Sequence, residues 1–248
     1  MDKKAWKVFL AVAASLPWDL VVSNGDLIDA ASISDHAKKI QLFNPEALQE
    51  YDFGWEIDMV QAEALIPLRR AVGKNTKIML RLGNHDSRLL KLDTKNGDAL
   101  NIILKELDKR RVRTGPGMLE DLLKTRKLDM EISYKPIDTI YGFNFVHGVK
   151  TGPNAAKQNL MKYGCGTSGH SHRMGVHTEV MQQKLMGWFE SGCLRTIRNV
   201  EYLPHGDIPN WCHGYLEVHV NKRTNHFICI PHFIIDYETI HDGVRYSA

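Results

Sequence analysis

Between Trp6 and Leu16 the apolar positions Val8, Leu10, Val12 and Leu16 suit a helix laid on a sheet, and Pro17 stops that helix. The apolar run Leu20 to Ser23 then predicts a strand ending at Asn24-Gly25-Asp26. After a polar and aromatic insertion, a helical pattern covers about Glu56 to Val72, and a second apolar strand, Lys77 to Leu82, ends at Gly83-Asn84-His85-Asp86. Residues 97 to 124 predict two helices separated by Gly115-Pro116-Gly117, with Leu100, Ile103, Leu104 and Leu107 at helical spacing. A third strand, Gly142 to Val146, ends at His147-Gly148. A helical segment, Pro153 to Tyr163, then leads to a short strand ending at Gly169-His170-Ser171-His172. Lys184 to Glu190, Tyr215 to Val220 and His226 to Phe233 alternate or run apolar as strands do. The sequence thus predicts an α/β fold in one domain, residues 1–248, with 30–55 and 88–135 as insertions or helical cover.

Composition narrows the class without naming a function. A chain of 248 residues with 43% hydrophobic and 25% charged positions can bury a large core, and no apolar run approaches the ~18 residues a membrane span needs. A net charge of +3 permits contact with phosphate or nucleic acid but is too small to argue for either. The run Lys109-Arg110-Arg111-Val112-Arg113 reads as a solvated helix end rather than a nucleic-acid patch. Lys3 and Lys4 before the apolar stretch Val8 to Ala14 have the outline of a signal peptide, but the helix ended by Pro17 accounts for the same residues. Cys165, Cys193, Cys212 and Cys229 stand singly, with no Cys-x-x-Cys pair, which fits a reducing, cytoplasmic setting with no membrane contact.

Histidine is where the chemistry concentrates. Asp, Asn or His follows the carboxyl end of four predicted strands: Asp26, then Asn84-His85-Asp86, then His147, then His170 and His172. In open α/β sheets that edge is where ligands bind, so residues distant in sequence can converge there. A carboxylate can bridge two cations, an amide oxygen is a neutral hard ligand, and imidazole favours Mn, Fe, Zn or Ni over Mg and Ca. Taken singly, Asp26 is a turn former, Asn84 a cap and His147 a core histidine; the ordered set favours a metal site.

Gly25-Asp26-Leu27-Ile28-Asp29, Gly83-Asn84-His85-Asp86, Val146-His147 and Gly169-His170-Ser171-His172 resemble, in order and spacing, the calcineurin-like metallophosphoesterase family. The segment Gly83 to Leu90, with Arg88, is similar to small phage and bacterial members. The resemblance implies a four-layer α/β/β/α sandwich and two divalent cations, Mn2+ foremost, with Fe, Zn, Ni or Mg as alternatives. It implies that Asp26 bridges both ions, that Asn84, His147 and His170 complete one, and that His172 belongs to the other. His85 would act as the acid toward the leaving oxygen, with Asp86 a candidate to orient its imidazole. The implied activity is hydrolysis of phosphate mono- or diesters by a metal-activated hydroxide, in the manner of a phosphodiesterase or nuclease acting on a phosphate ester, nucleotide or nucleic acid.

Two departures qualify the resemblance. The family begins with a strand ending in Asp-x-His, and no such motif occurs here, so the first strand is expected to be missing, one ion to be weakly held and activity impaired. The alternative is a non-catalytic metal-binding homologue acting as a binding or scaffold protein. Second, Asp29 is followed by Ala30-Ala31, unlike the Ser/Thr phosphatase branch. His36, His177, His213, His219, His226, His232 and His241 are expected as surface or core residues, His219 pointing outward with Glu217, while His205 in Pro204-His205-Gly206-Asp207 is a candidate to line the cleft.

Overall fold

In the computed structural model, residues 1–30, 33, 52–90, 97–181, 183–197 and 209–248 are described. His36, His205 and most of the expected 30–55 insertion lie outside them. The architecture is mixed α/β and divides into two compact units: an N-terminal unit, Pro17–Ser133, and a C-terminal unit, Met1–Leu16 with Tyr134–Ala248. Among the described residues no helix is long and apolar enough to cross a membrane.

The N-terminal unit is built on a parallel sheet of β1 (Leu20–Ser23), β2 (Lys77–Arg81) and β3 (Glu131–Ser133), in that spatial order. Ser23 pairs with Leu80, so both chains leave the sheet at the same edge. Between β1 and β2 run α2 (Phe53–Met59), a π-helical stretch (Val60–Leu65) and α3 (Ile66–Val72). The widened stretch gives way to α3 where Pro67 follows, a residue with no N–H to continue the ladder. Beyond β2 come α4 (Gly97–Lys109) and α5 (Met118–Leu123), the two helices expected around the Gly-Pro-Gly break. Arg110 ties α4 to α2, donating to Glu106, to Asp58 at 2.8 Å and to the Gly54 carbonyl at 2.9 Å. The segment expected as helical cover also supplies β3, whose three residues are too few for a periodic signal.

In the C-terminal unit α1 (Lys3–Ser15) is capped by Asp2, whose Oδ1 accepts from Lys4 N and Ala5 N at 3.1 Å. Its buried face, Ala5, Val8, Val12 and Ala13, follows the helical repeat. Five strands form one sheet in the order β4 (Asp138–Ile140), β5 (Phe143–Val146), β6 (Gly166–Ser168), β8 (Lys184–Glu190), β7 (Val176–Met181). The central β5, β6 and β8 are parallel, and Val146, Ser168 and Glu190 share a register line. Their following residues, His147, Gly169 and Ser191, therefore emerge along one edge. Helix α6 (Ala155–Tyr163) packs on this sheet through Ala156 and Leu160, against Val146 and the fully buried Trp188.

Two antiparallel hairpins complete the unit: β9 (Gly214–Val220) with β10 (Phe227–Phe233), and β11 (Glu238–His241) with β12 (Val244–Ser247). Helix α1 packs against β11 and β12, and Phe9 meets the Tyr215 ring edge-on at 5.6 Å.

Candidate functional site

Because β1 and β2 are parallel and adjacent, the loops after them are neighbours within the N-terminal unit. Asp26 adopts a left-handed backbone (φ 58°), uncommon for a residue with a Cβ, and its Oδ1 accepts from His85 N at 2.9 Å. Gly83 lies against Asp26 so closely that a Cβ there would overlap the Asp26 backbone nitrogen and carboxylate. Of the motif residues, Asn84 is exposed and His85 half-buried. Thus the two loops that carry Asp26, Asn84, His85 and Asp86 are brought together as expected.

Asp86 has a different part from the one expected. Its side chain is buried and accepts from Asp26 N (2.7 Å), Ile28 N (2.8 Å) and Gly83 N (2.8 Å). Both oxygens therefore staple one loop to the other, and burial, helped by the nearby Asp26 charge, pushes its pKa up against the pull of those amides. The imidazole of His85 is held instead by Asp29, with Nδ1 2.5 Å from Asp29 Oδ1 and 3.0 Å from Asp29 O. Burial works against a charged imidazole, yet the Asp29 hydrogen bond and the charges of Asp26 and Asp29 outweigh it, and the His85 pKa is raised. Arg88 donates through Nη1 to Asp29 O at 3.2 Å, on the same turn. Glu56 of α2 anchors the far end of the first loop, accepting from Asp29 N (2.6 Å) and Ala30 N (3.1 Å).

Within the C-terminal unit the loops after β5 and β6 are likewise neighbours. His147 Nε2 stands 3.2 Å from His170 Nδ1, with the rings edge to face at 5.0 Å. Gly148 (φ 96°) runs so near Ser168 that an added Cβ would sit 3.2 Å from the Ser168 Cβ, which explains the glycine after His147. His170 (φ 62°) and His172 (φ 58°) are both left-handed, so the Gly-His-Ser-His loop coils tightly, and Ser171 N donates to Gly169 O at 2.7 Å. Arg173 braces the loop through a hydrogen bond to Gly152 O (2.6 Å) and an ion pair with the buried Glu190 (3.4 Å). His172 packs edge-on to Trp211 at 4.6 Å, and Arg195 lies over the same indole at 5.1 Å. Asp2 is occupied structurally: beyond its cap it accepts from Tyr237 Oη at 3.2 Å.

The chain matches no family model and no curated protein. The assignment of chemistry therefore rests on the residues themselves. Sequence reasoning did not assign roles to Asp29, Glu56, Arg173 or Glu190. Asp29 sits inside the quoted Gly25–Asp29 segment and had a signal there; Glu56 and Glu190 resemble any other glutamate in a helix or strand until the pairing is known.

Proposed function

We propose that this chain is a dinuclear metal-dependent phosphoesterase, a hydrolase of phosphodiesterase or nuclease type, with the four-layer sandwich of the calcineurin-like family. The observation that carries the reading is the His147–His170 pair, two ring nitrogens 3.2 Å apart. Ligands at ~2.0–2.1 Å from a shared cation stand about 3.0–3.4 Å from one another, and the separation of the pair falls in that range. The parallel sheet β1-β2-β3 and the β5-β6-β8 parallel core, each with its motif residues at the carboxyl edge, support the fold.

In this reading Asp26, Asn84, His147, His170 and His172 are the metal ligands. Those residues would hold the cations, Mn2+ foremost, which when bound would supply Lewis-acid charge to the phosphoryl oxygens and lower the pKa of a coordinated water. The protein's part is positioning and proton transfer. With Nδ1 fixed on Asp29, the remaining His85 nitrogen, Nε2, is the one that donates to the leaving oxygen. Asp86 holds the Asp26 backbone where the carboxylate is needed, acting on structure rather than on substrate.

The test is hydrolysis of bis(p-nitrophenyl) phosphate by the whole chain with added Mn2+. His85→Ala is expected to lower kcat by ~10²–10⁴-fold while leaving the bound metal unchanged. Equal turnover in wild type and variant removes the role of His85, and metal uptake without any turnover favours the non-catalytic homologue.

A further inference from the structure

A second group of potential ligands is built on the strands of the C-terminal unit rather than on its loops. On β9 the alternation places Tyr215, Glu217 and His219 on one face, and the β10 register sets His232 opposite Tyr215. His241, the last residue of β11, reaches the same place. Glu217 is not the outward-pointing partner of His219 that alternation suggested: Glu217 is 7% exposed, whereas the His219 side chain is 60% exposed. His241 is 1% exposed.

Glu217 Oε2 lies 2.9 Å from His232 Nε2 and 3.6 Å from His241 Nε2. These separations bracket the ~3.3 Å edge of a tetrahedron with bonds of ~2.0–2.1 Å, the geometry of zinc-type sites. We infer that Glu217 Oε2, His232 Nε2 and His241 Nε2 bind a divalent transition cation of the Zn2+ or Co2+ type, at a site additional to the proposed phosphoesterase ligands. Two imidazole nitrogens and one carboxylate match the ligand preference of such ions, and all three donor atoms lie within 4.8 Å of one another.

The surroundings are those of a supported site. Tyr215 Oη meets His241 Nδ1 at 3.1 Å, which leaves Nε2 as the nitrogen directed to the ion. The Tyr215 ring also stacks on His232 at 4.9 Å with an interplanar angle of 9°, fixing the second imidazole. His219 Nε2 sits 2.6 Å from the other Glu217 oxygen, Oε1, and orients the carboxylate from the solvent side. Three ligands from β9, β10 and β11 would tie the two hairpins together, so the ion's role is to join them.

The experiment is Co2+ titration of the chelator-stripped, full-length chain, read by the visible bands of tetrahedral Co2+ and by metal content after desalting. A variant carrying Asp26→Asn, His147→Ala and His170→Ala, which removes ligands of the proposed phosphoesterase set, is expected to keep one equivalent of Co2+ and its bands. Tyr215→Phe in the wild-type chain preserves the stack and is expected to weaken that equivalent by ~10–100-fold. Glu217→Gln should abolish it, with folding checked by circular dichroism. No tetrahedral Co2+ signal in either the wild-type chain or the folded triple variant overturns the site, as does a folded Glu217→Gln protein that binds Co2+ as before. Should Glu217→Gln not fold, unchanged Co2+ affinity in Tyr215→Phe overturns the site on its own.

Discussion

The loop-borne residues and the strand-borne cluster show two ways of assembling the same ligand types. Asp26, His170 and His172 sit on left-handed backbone at strand ends, their positions dictated by glycines and by hydrogen bonds to main-chain amides. Glu217, His232 and His241 sit on regular strands, positioned by pairing register and by the packing of Tyr215. The loop arrangement stores backbone strain, which persists only where the surroundings enforce it and which clusters at sites of chemistry. The strand arrangement is unstrained and buried, as suits a structural tie. Disturbing the supports should therefore hurt the first region through its backbone and the second through its side chains.

The largest effect is expected at Asp86. Removing its carboxylate in Asp86→Ala leaves the amides of Asp26, Ile28 and Gly83 without their acceptor, at about 1–3 kcal/mol for each buried group. Urea denaturation should show a loss of roughly 3 kcal/mol or more, while the Co2+ signal of the strand cluster is retained under native conditions. A loss below about 1 kcal/mol would show that the loops are held by something other than this carboxylate.

Gly83→Ala comes next. The new methyl would overlap the Asp26 backbone nitrogen, which cannot rotate away, so the two loops must separate, costing about 1–3 kcal/mol as other overpacked sites do. Activity should fall more than stability, because Asp26 is displaced from its place. Thermal melts paired with Mn2+-dependent turnover measure both, and an unaltered turnover would separate the Asp26 position from catalysis.

The smallest effect concerns Glu56, which anchors the Asp29–Ala30 end of the loop. Burial is the largest influence on its carboxyl and raises the pKa above the ordinary value of 4.5, despite the two amide hydrogen bonds that pull it down. The folded state therefore holds the proton more tightly than the unfolded one. That contribution is fully present below pH 4.5 and is lost as pH rises through the raised folded value. Relative to Glu56→Gln, the wild-type chain should lose stability across that window in urea denaturation; parallel stability curves would mean that Glu56 does not titrate differently on folding.

Much of the secondary structure was legible. The strand Leu20–Ser23 lies where its apolar run and the flanking Pro17 and Asn-Gly placed it, and the helix before Gly115-Pro116-Gly117 follows from the helical spacing of Leu100, Ile103, Leu104 and Leu107. The short strands β3 and β4, three residues each, span barely one alternation and carry no readable period. Strands β7, β11 and β12 were not anticipated either: Thr178, Glu238, Thr239 and Arg245 break their apolar pattern, and what defines these strands is a partner elsewhere in the chain. The loop residues stood out in the sequence because they fall in compact motifs, each containing a glycine. The Glu217–His232–His241 cluster did not, because its members are separated in sequence and meet only through strand register and the packing of β11. The orientation of His85 fell between the two: the motif named the histidine, but adjacency suggested Asp86 where the fold supplies Asp29.

The central claim, that these residues make a phosphoesterase, is tested most directly by turnover of the whole chain on a phosphodiester with and without Mn2+, beside Asp26→Asn. The account predicts Mn2+-dependent hydrolysis in the wild-type chain that Asp26→Asn abolishes while circular dichroism is preserved. Hydrolysis that is indifferent to Mn2+, or a folded Asp26→Asn protein with wild-type turnover, would contradict it.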